Sequence, residues 1–194
     1  MQSRLLTEIR GVGLFLAGIA VALLFGFAGS ASAAGCKNAN LEPQDADQAK
    51  KAQTAVRCLV NRERKKRGLR SLRFSKSLQK ASDWMAKDML DHEYFAHDRN
   101  GGPSFTARIT RFGYGEKSNG YSLGENIAWA TCDIATPREI VRMWMNSPGH
   151  RANILQRRFK EQAVSALWST GGIGGDYDSE IPFVVFVNQF GARY

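Results

Sequence analysis

The run FVVFVNQF, residues 183–190, restricts the possible folds more than any other feature of the sequence. It is almost continuously apolar and rich in Val and Phe, which is typical of a strand whose two faces are both covered. Residues 163–169 predict a second strand, and residues 122–129 have extended character. Other elements must therefore cover the sheet that these strands form.

Helical periodicity in the remaining segments supplies that cover. Residues 45–67 carry Val56, Leu59 and Val60 at helical spacing and end at Gly68, and residues 75–90 follow the same pattern. Shorter helices are predicted over residues 104–112 and 137–144. Because helices and strands do not alternate in repeated βαβ order, the sequence predicts an α+β fold with helices packed on one small, mainly antiparallel sheet.

The N-terminal segment has the pattern of an export signal. Arg4 and Arg10 precede residues 11–29, which carry no charge, and Ala31-Ser32-Ala33 is a good cleavage site. We therefore predict a signal peptide over residues 1–33, an N-terminal arm and helix start over 34–53, and a secreted, extracellular protein with no integral membrane role after cleavage. The alternative is an uncleaved segment that anchors the chain, since about 20 apolar residues can span a bilayer.

The chain has three cysteines, and an exported protein can keep disulfides. Because the number is odd, one thiol is left over. We expect Cys36 to pair with Cys58, which would tie the arm to the first helix and leave Cys132 free. The alternative is lipidation of Cys36, which follows an imperfect lipoprotein motif.

A basic run, RERKKRGLRSLR, extends from Arg62 to Arg73 in a chain with a net charge of +9. Such a run is typical of polyanion binding, but a solvated helix end is the simpler explanation. For an exported protein an anionic wall polymer or lipid head groups are the expected partners, and nucleic acid is not.

The three histidines, His92, His97 and His150, limit any metal or acid–base site to few candidates. HEYFAH, residues 92–97, is not the zinc-protease helix motif, because its two histidines are five positions apart and cannot share one helix face. His92 is therefore interpreted as a surface residue. Ser147 and Pro148 predict a helix start with the Ser hydroxyl as N-cap, which places His150 in the first turn of that helix.

Several motifs in a fixed order resemble the CAP superfamily of cysteine-rich secretory, antigen 5 and pathogenesis-related proteins, and its bacterial branch in particular. They are FAHDRNGG, GENIA, WMNSPGHRANIL and the final NQFG, preceded by LVNRERKKRGLRSLR. The resemblance covers residues 54–191. It implies an α-β-α sandwich, with a cleft into which His97, Glu125 and His150 project.

In such a cleft, the two imidazoles of His97 and His150 and the Glu125 carboxylate would make a three-ligand site that binds a divalent cation such as Zn or Mg weakly. The alternative is a structural polar network, in which His150 bonds to Glu125 and neighbouring asparagines satisfy buried backbone groups. Many members have a second acidic residue in the cleft, and Ser147 occupies its position here. The expected function is that of a non-catalytic module that binds a lipid, a sterol or another cell-envelope ligand. The alternative is a metal-dependent hydrolase or peptidase in which Glu125 and His150 would be the catalytic residues.

Overall fold

The computed structural model describes residues 35–171, 173 and 181–194. The predicted signal peptide, residues 1–33, lies outside the described residues, and it stays a prediction, as do the boundaries 34–53 and 54–191. The elements follow in the order α1 (Ala46–Lys65), β1 (Arg73–Phe74), α2 (Lys76–Asp91), α3 (Phe105–Thr110), β2 (Tyr121–Thr131), α4 (Pro137–Asn146), α5 (Pro148–Leu155), β3 (Glu161–Ser169) and β4 (Phe183–Arg193).

The strands form one sheet in the order β1-β3-β4-β2. β4 pairs antiparallel with both β2 and β3, whereas the two-residue β1 pairs parallel with β3. The sheet is therefore mixed but mainly antiparallel, and the predicted α+β class is confirmed. β4, which contains the FVVFVNQF run, is the inner strand that the sequence predicts, and it is buried along all but its last residue.

Helices cover both faces of this sheet. On one face α1, α4 and α5 pack against alternate residues of β4, including Val184, Phe186 and Phe190. On the other face α2 packs through Met85 and Met89 against the intervening strand residues, and α3 extends this layer. Side chains alternate across a strand, so one apolar run supplies both cores of an α-β-α sandwich.

Local capping explains where the helices begin. The side chains of Asp45, Ser75, Ser104 and Thr136 each accept a backbone N–H in the first turn of α1, α2, α3 and α4. Ser147 occupies the N-cap of α5 with Pro148 as the first helical residue, but its hydroxyl makes no capping hydrogen bond. The predicted helix start is therefore correct, and the predicted hydroxyl cap is wrong.

A disulfide joins the N-terminal arm to α1, as the sequence predicts. Cys36 and Cys58 are bonded, and Cys132 is a free, buried thiol. The arm also contacts α4, where Ala39 accepts the backbone N–H of Arg138 and Asn40 accepts the Arg138 Nε. These bonds hold the arm against the layer that contains α1 and α4.

Candidate functional site

The candidate site lies along β2, the last strand in the sheet order. On the side of β2 away from β4, its carbonyl groups are bonded by side chains of α4 and α5. The Trp144 indole donates to the Ile127 carbonyl at 3.1 Å, and the Asn153 amide donates to the Glu125 carbonyl at 3.0 Å. These bonds satisfy groups that an open sheet edge would otherwise leave exposed. The layer of α4 and α5 is therefore bonded directly to this strand.

The Glu125 carboxylate is the centre of a buried polar network. Its side chain is 2% exposed, and the Arg108 guanidinium, which is 1% exposed, donates to its two oxygens at 3.0 and 2.9 Å. Gln189, its cross-strand partner on β4, donates to Oε2 through Nε2. His97 Nδ1 lies 2.7 Å from Oε1 and is therefore the protonated nitrogen of that ring. The buried charge is thus compensated by one cation and two further donors.

The loop that carries His97 is held by two buried groups. Besides its two bonds to Glu125, Arg108 donates to the His97 carbonyl at 2.7 Å and to the Asp98 carboxylate at 3.2 Å. At the end of α2, buried Asp88 accepts the Tyr94 hydroxyl at 2.7 Å and the Arg99 guanidinium at 3.2 Å. Tyr94 and Arg99 lie on either side of His97 in the chain, so their bonds to Asp88 fix the loop between them. The His97 imidazole is therefore held in place although its side chain is 51% exposed.

His150 reaches the same region from the opposite layer. It is the third residue of α5, and its carbonyl accepts the Asn126 amide at 3.0 Å, which ties α5 to β2. Gly124 allows this close packing, because a Cβ at that position would lie 2.8 Å from Phe159 and 3.0 Å from Asn153. The His150 ring makes no hydrogen bond with any residue that the structure describes, so its nitrogens are available to a ligand.

The two imidazoles have opposite electrostatic surroundings. The hydrogen bond to Glu125 raises the pKa of His97 above its usual value. Burial, and to a smaller extent the positive charge of His97, lowers the pKa of His150. The surroundings therefore favour the neutral form of the His150 ring and the protonated form of the His97 ring.

An apolar cavity of about 350 Å³ opens beside His150. Most of its lining is aromatic or aliphatic, and Ser147 and His150 supply polar side-chain atoms. The lining residues are Phe95, Ile127, Ala128, Trp129, Met143, Trp144, Ser147 and His150. They come from both sides of the sheet and from β2, and His97 and Glu125 are not among them.

The structure thus brings His97 and Glu125 into direct contact, and it places His150 next to the cavity without a bond to Glu125. Arg108 and Gln189 were not predicted from the sequence as residues of the site. Gln189 had a signal, because Asn188-Gln189 interrupts an otherwise apolar strand and a buried polar pair needs partners. Arg108 had none, since a single arginine on a short helix is most often solvated.

The donor atoms do not fit the predicted three-ligand metal site as they are arranged. Within the described ranges, no group of three or more His, Cys, Asp or Glu side chains is placed to hold a metal ion. Both Glu125 oxygens already accept bonds from Arg108, whose positive charge would repel a cation. Glu125 is therefore placed to orient His97 rather than to bind a metal ion directly, and metal binding stays a prediction.

Comparison with known proteins agrees with this architecture. The protein YkwD of Bacillus subtilis strain 168 is 36% identical over 121 residues, which are 60% of this chain and 44% of YkwD. The matched part is thus less than half the length of that relative. An outer surface protein of Borrelia burgdorferi shares the fold with a TM-score of 0.59 and 20% identity, over 75% of this chain and 96% of that one.

An extracellular protein of Bacillus anthracis that contains an SCP domain superposes with a TM-score of 0.56 and 25% identity. The match covers 76% of this chain and 44% of that one. The family model of the cysteine-rich secretory proteins, CAP, matches residues 58–187, which include β1, β2, β3 and the first half of β4. On this match the chain belongs to the CAP family, in its bacterial form.

Proposed function

We propose that this protein works outside the cytoplasm as a non-catalytic binding module for a lipid, a sterol or a similar amphiphile of the cell envelope. The observation that carries the proposal is the apolar cavity beside His150. Its aromatic and aliphatic lining would remove an alkyl chain or ring system from water, which is the main source of affinity for such ligands.

The polar atoms of the cavity suit the head of an amphiphile. The Ser147 hydroxyl is not used as a helix cap, and the His150 ring makes no hydrogen bond with a described residue, so both can bond to a ligand. The cavity volume of about 350 Å³ is near the lower end of ligand pockets, which span roughly 300–1,000 Å³. These dimensions favour a single alkyl chain or part of a sterol.

Two observations support a place outside the cytoplasm. The Cys36–Cys58 disulfide is typical of proteins from oxidising compartments. The B. anthracis relative is described as extracellular.

Displacement of a fluorescent fatty acid, dansyl-undecanoate, tests the cavity. Met143 lines it and is 41% exposed, so Met143→Gln should leave the fold intact and weaken binding by about fivefold, the equivalent of roughly 1 kcal/mol of lost apolar contact. Ile134→Gln is the matched control, since Ile134 is 53% exposed and does not line the cavity. Equal affinities in the two variants would exclude the cavity as the binding site.

A weak divalent-cation site is a separate part of the proposal. Because Arg108 occupies both oxygens of Glu125, the site would use the imidazoles of His97 and His150, and the bond from His97 Nδ1 to Glu125 leaves Nε2 of His97 for the ion. Calorimetric titration with zinc should show binding to the native protein and none to a His97→Ala/His150→Ala variant. Absence of heat with both zinc and magnesium would remove the cation from the proposal and leave the apolar cavity.

The hydrolase alternative is not favoured by the geometry. A general base needs a free oxygen within hydrogen-bond reach of the proton it takes. The Glu125 oxygens instead accept bonds from Arg108, Gln189 and His97. Turnover of an ester or peptide substrate that is lost on chelation and in Glu125→Gln would restore the alternative.

A further inference from the structure

Two further cavities share no residue with the apolar cavity. One has a volume of about 690 Å³ and the other about 410 Å³, and both are lined by Arg73 and Lys160. Because these two residues line both, the cavities are neighbours on the surface, and we call the two together the basic groove. Its walls come from the loop after α1, from β1 and the start of β3, and from the end of β4.

Strand pairing builds the middle of the basic groove. The two-residue β1 runs parallel to β3, with Arg73 opposite Glu161, and the Arg73 N–H donates to the Lys160 carbonyl at 2.9 Å. The pairing places two exposed cations side by side although they lie far apart in the sequence. The fold thus combines part of the basic run with a second basic segment, QRRFK, residues 156–160.

Positive charge dominates the rest of the lining. Arg70 and Arg157 line the larger cavity, and Lys117 and Arg193 line the smaller one. The acidic residue of the lining is Glu161, which is already bonded by Arg193 at 2.6 Å and by the Tyr114 hydroxyl at 2.7 Å. Its charge is therefore largely compensated within the protein.

Four of the exposed cations have no ionic partner within the described part of the chain. They are Arg70, Lys117, Arg157 and Lys160, for which no ion pair with a described residue is found. Arg73 has a weak partner, because its guanidinium lies 4.0 Å from the Glu161 carboxylate, at the distance limit of an ion pair. Cations collected in a concave surface repel one another, and a bound anion relieves that repulsion. Their arrangement is therefore costly for the protein alone and favourable for an anionic ligand.

A buried arginine adds charge beneath the groove. Arg64 lines the larger cavity, is 1% exposed, and donates to the carbonyls of Ile154 at 2.7 Å, Arg70 at 2.9 Å and Gln156 at 2.9 Å. These acceptors are neutral, so the guanidinium keeps its full positive charge. The same bonds connect the loop after α1 to the end of α5, which fixes the two walls of the cavity relative to each other.

The other basic residues of the sequence run do not contribute exposed charge to this groove. Lys66 and Arg67 pair with Glu63 at 2.6 and 2.8 Å. Arg62 and Lys65 belong to the exposed part of α1 and do not line either cavity. The run from Arg62 to Arg73 is therefore divided by the fold, and Arg70 and Arg73 are its members on the groove surface.

We propose that the basic groove binds a linear polyanion with repeated phosphate diesters, of the kind found in cell-envelope polymers. Two cavities joined by shared cations fit a chain with charges at intervals better than a single ion, which would occupy one cavity. The choice of an envelope polymer over nucleic acid rests on the extracytoplasmic location proposed above. The site is independent of the apolar cavity and of the histidines.

Binding of a synthetic poly(glycerol phosphate) chain, measured at about 50 mM and 150 mM NaCl, tests this assignment. We expect Arg73→Gln/Lys160→Gln to lose about tenfold in affinity and to show a weaker salt dependence, because two phosphate contacts and their released counterions are gone. Arg62→Gln/Lys65→Gln removes the same charge from the same basic region and should bind within about twofold of the native protein. Unfolding midpoints establish that both variants are folded.

Specific outcomes overturn the proposal. Equal losses in the two variants would mean that only net charge matters, and absence of binding at the lower salt concentration would reject the site. Tighter binding of single-stranded DNA of equal charge, or of phosphatidylglycerol vesicles, would reject the partner.

Mapping on the native protein gives an independent readout. Amide NMR shifts caused by a glycerol phosphate oligomer should fall on residues 70–74 and 157–161, and shifts confined to the cleft of His97 would contradict the proposal. A His97→Ala/His150→Ala variant should bind the polymer normally, whatever becomes of its lipid binding. This variant therefore separates a failure of the basic groove from a failure of the proposed function.

Discussion

At the scale of single residues, the two cleft histidines carry a testable difference in protonation. We expect NMR titration to give a pKa above 6.5 for His97 and below 6.5 for His150, because the first is bonded to a carboxylate and the second is partly buried. In His97→Gln the pKa of His150 should rise, since a neighbouring charge is removed, but it should stay below 6.5 because burial is the larger cause.

The sign of the resulting pH dependence differs between the two rings. The raised pKa of His97 means that its bond to Glu125 stabilises the fold fully below about pH 6.5 and less as pH rises through that pKa. The lowered pKa of His150 gives stability above pH 6.5 that is lost as pH falls through its pKa. Titration curves that coincide for the two rings would contradict the described environments.

Arg108 and Glu125 form a deeply buried ion pair, and we expect this pair to control stability. Arg108→Met should lower the free energy of unfolding by about 3–5 kcal/mol, because it leaves the carboxylate buried without its main partner. Urea denaturation measures this loss. Arg142→Met is the control, since Arg142 pairs with Glu139 on the surface and such pairs contribute about 0–1 kcal/mol.

A double variant separates the ion pair from packing. In Arg108→Met/Glu125→Gln no buried charge is left without a partner. The double variant should therefore lose less free energy of unfolding than the two single variants together, by at least about 1 kcal/mol. Strict additivity would show that Arg108 stabilises the fold through its aliphatic part and its bonds to the His97 carbonyl and to Asp98, independently of Glu125.

At the scale of elements, periodicity and turn chemistry predicted the helices of the described residues and the three long strands, because those signals are local. They did not predict β1, since Arg73 and Phe74 become a strand only through bonds to residues of β3 far along the chain. The dependence on contacts between distant parts of the chain also explains which site residues the sequence predicted and which it did not. The meeting of His97 with Glu125 was expected from the family resemblance, whereas the Arg108 and Gln189 contacts depend on the packing of α3 and β4 against β2.

Ser147 occupies the N-cap position of α5 without making a capping hydrogen bond, and a substitution can test this difference. Ser147→Ala should change the free energy of unfolding by less than about 0.5 kcal/mol, because its hydroxyl makes no cap bond. Thr136→Ala at the start of α4 should cost about 1 kcal/mol, because its hydroxyl oxygen accepts the Glu139 N–H at 3.2 Å. Denaturation of the two variants provides the comparison, and equal losses would show that Ser147 caps α5 in solution.

At the scale of the whole molecule, two helical layers meet at β2, and the apolar cavity takes residues from both. The proposed ligand binding would therefore be coupled to the packing of both layers on the sheet. The basic groove lies on different residues and involves the loop after α1, β1, β3 and β4. One sandwich can thus present an apolar ligand site and a polyanion site that are lost by different substitutions.

The disulfide gives a prediction about the stability of this whole molecule. It joins residues 22 positions apart in the arm and α1, and the chain-entropy relation assigns about 3 kcal/mol to a loop of this size. We expect Cys36→Ser/Cys58→Ser to lower Tm by about 6–12 °C, since 1 kcal/mol corresponds to roughly 2–4 °C in a chain of this length. Dithiothreitol should lower the Tm of the native protein similarly, leave the double variant unchanged, and still act on Cys132→Ala, because Cys132 is not part of the bond. The contrary result is a native protein whose thiols titrate as reduced but whose Tm is unchanged. That result would show that α1 and α4 hold the arm without the covalent link.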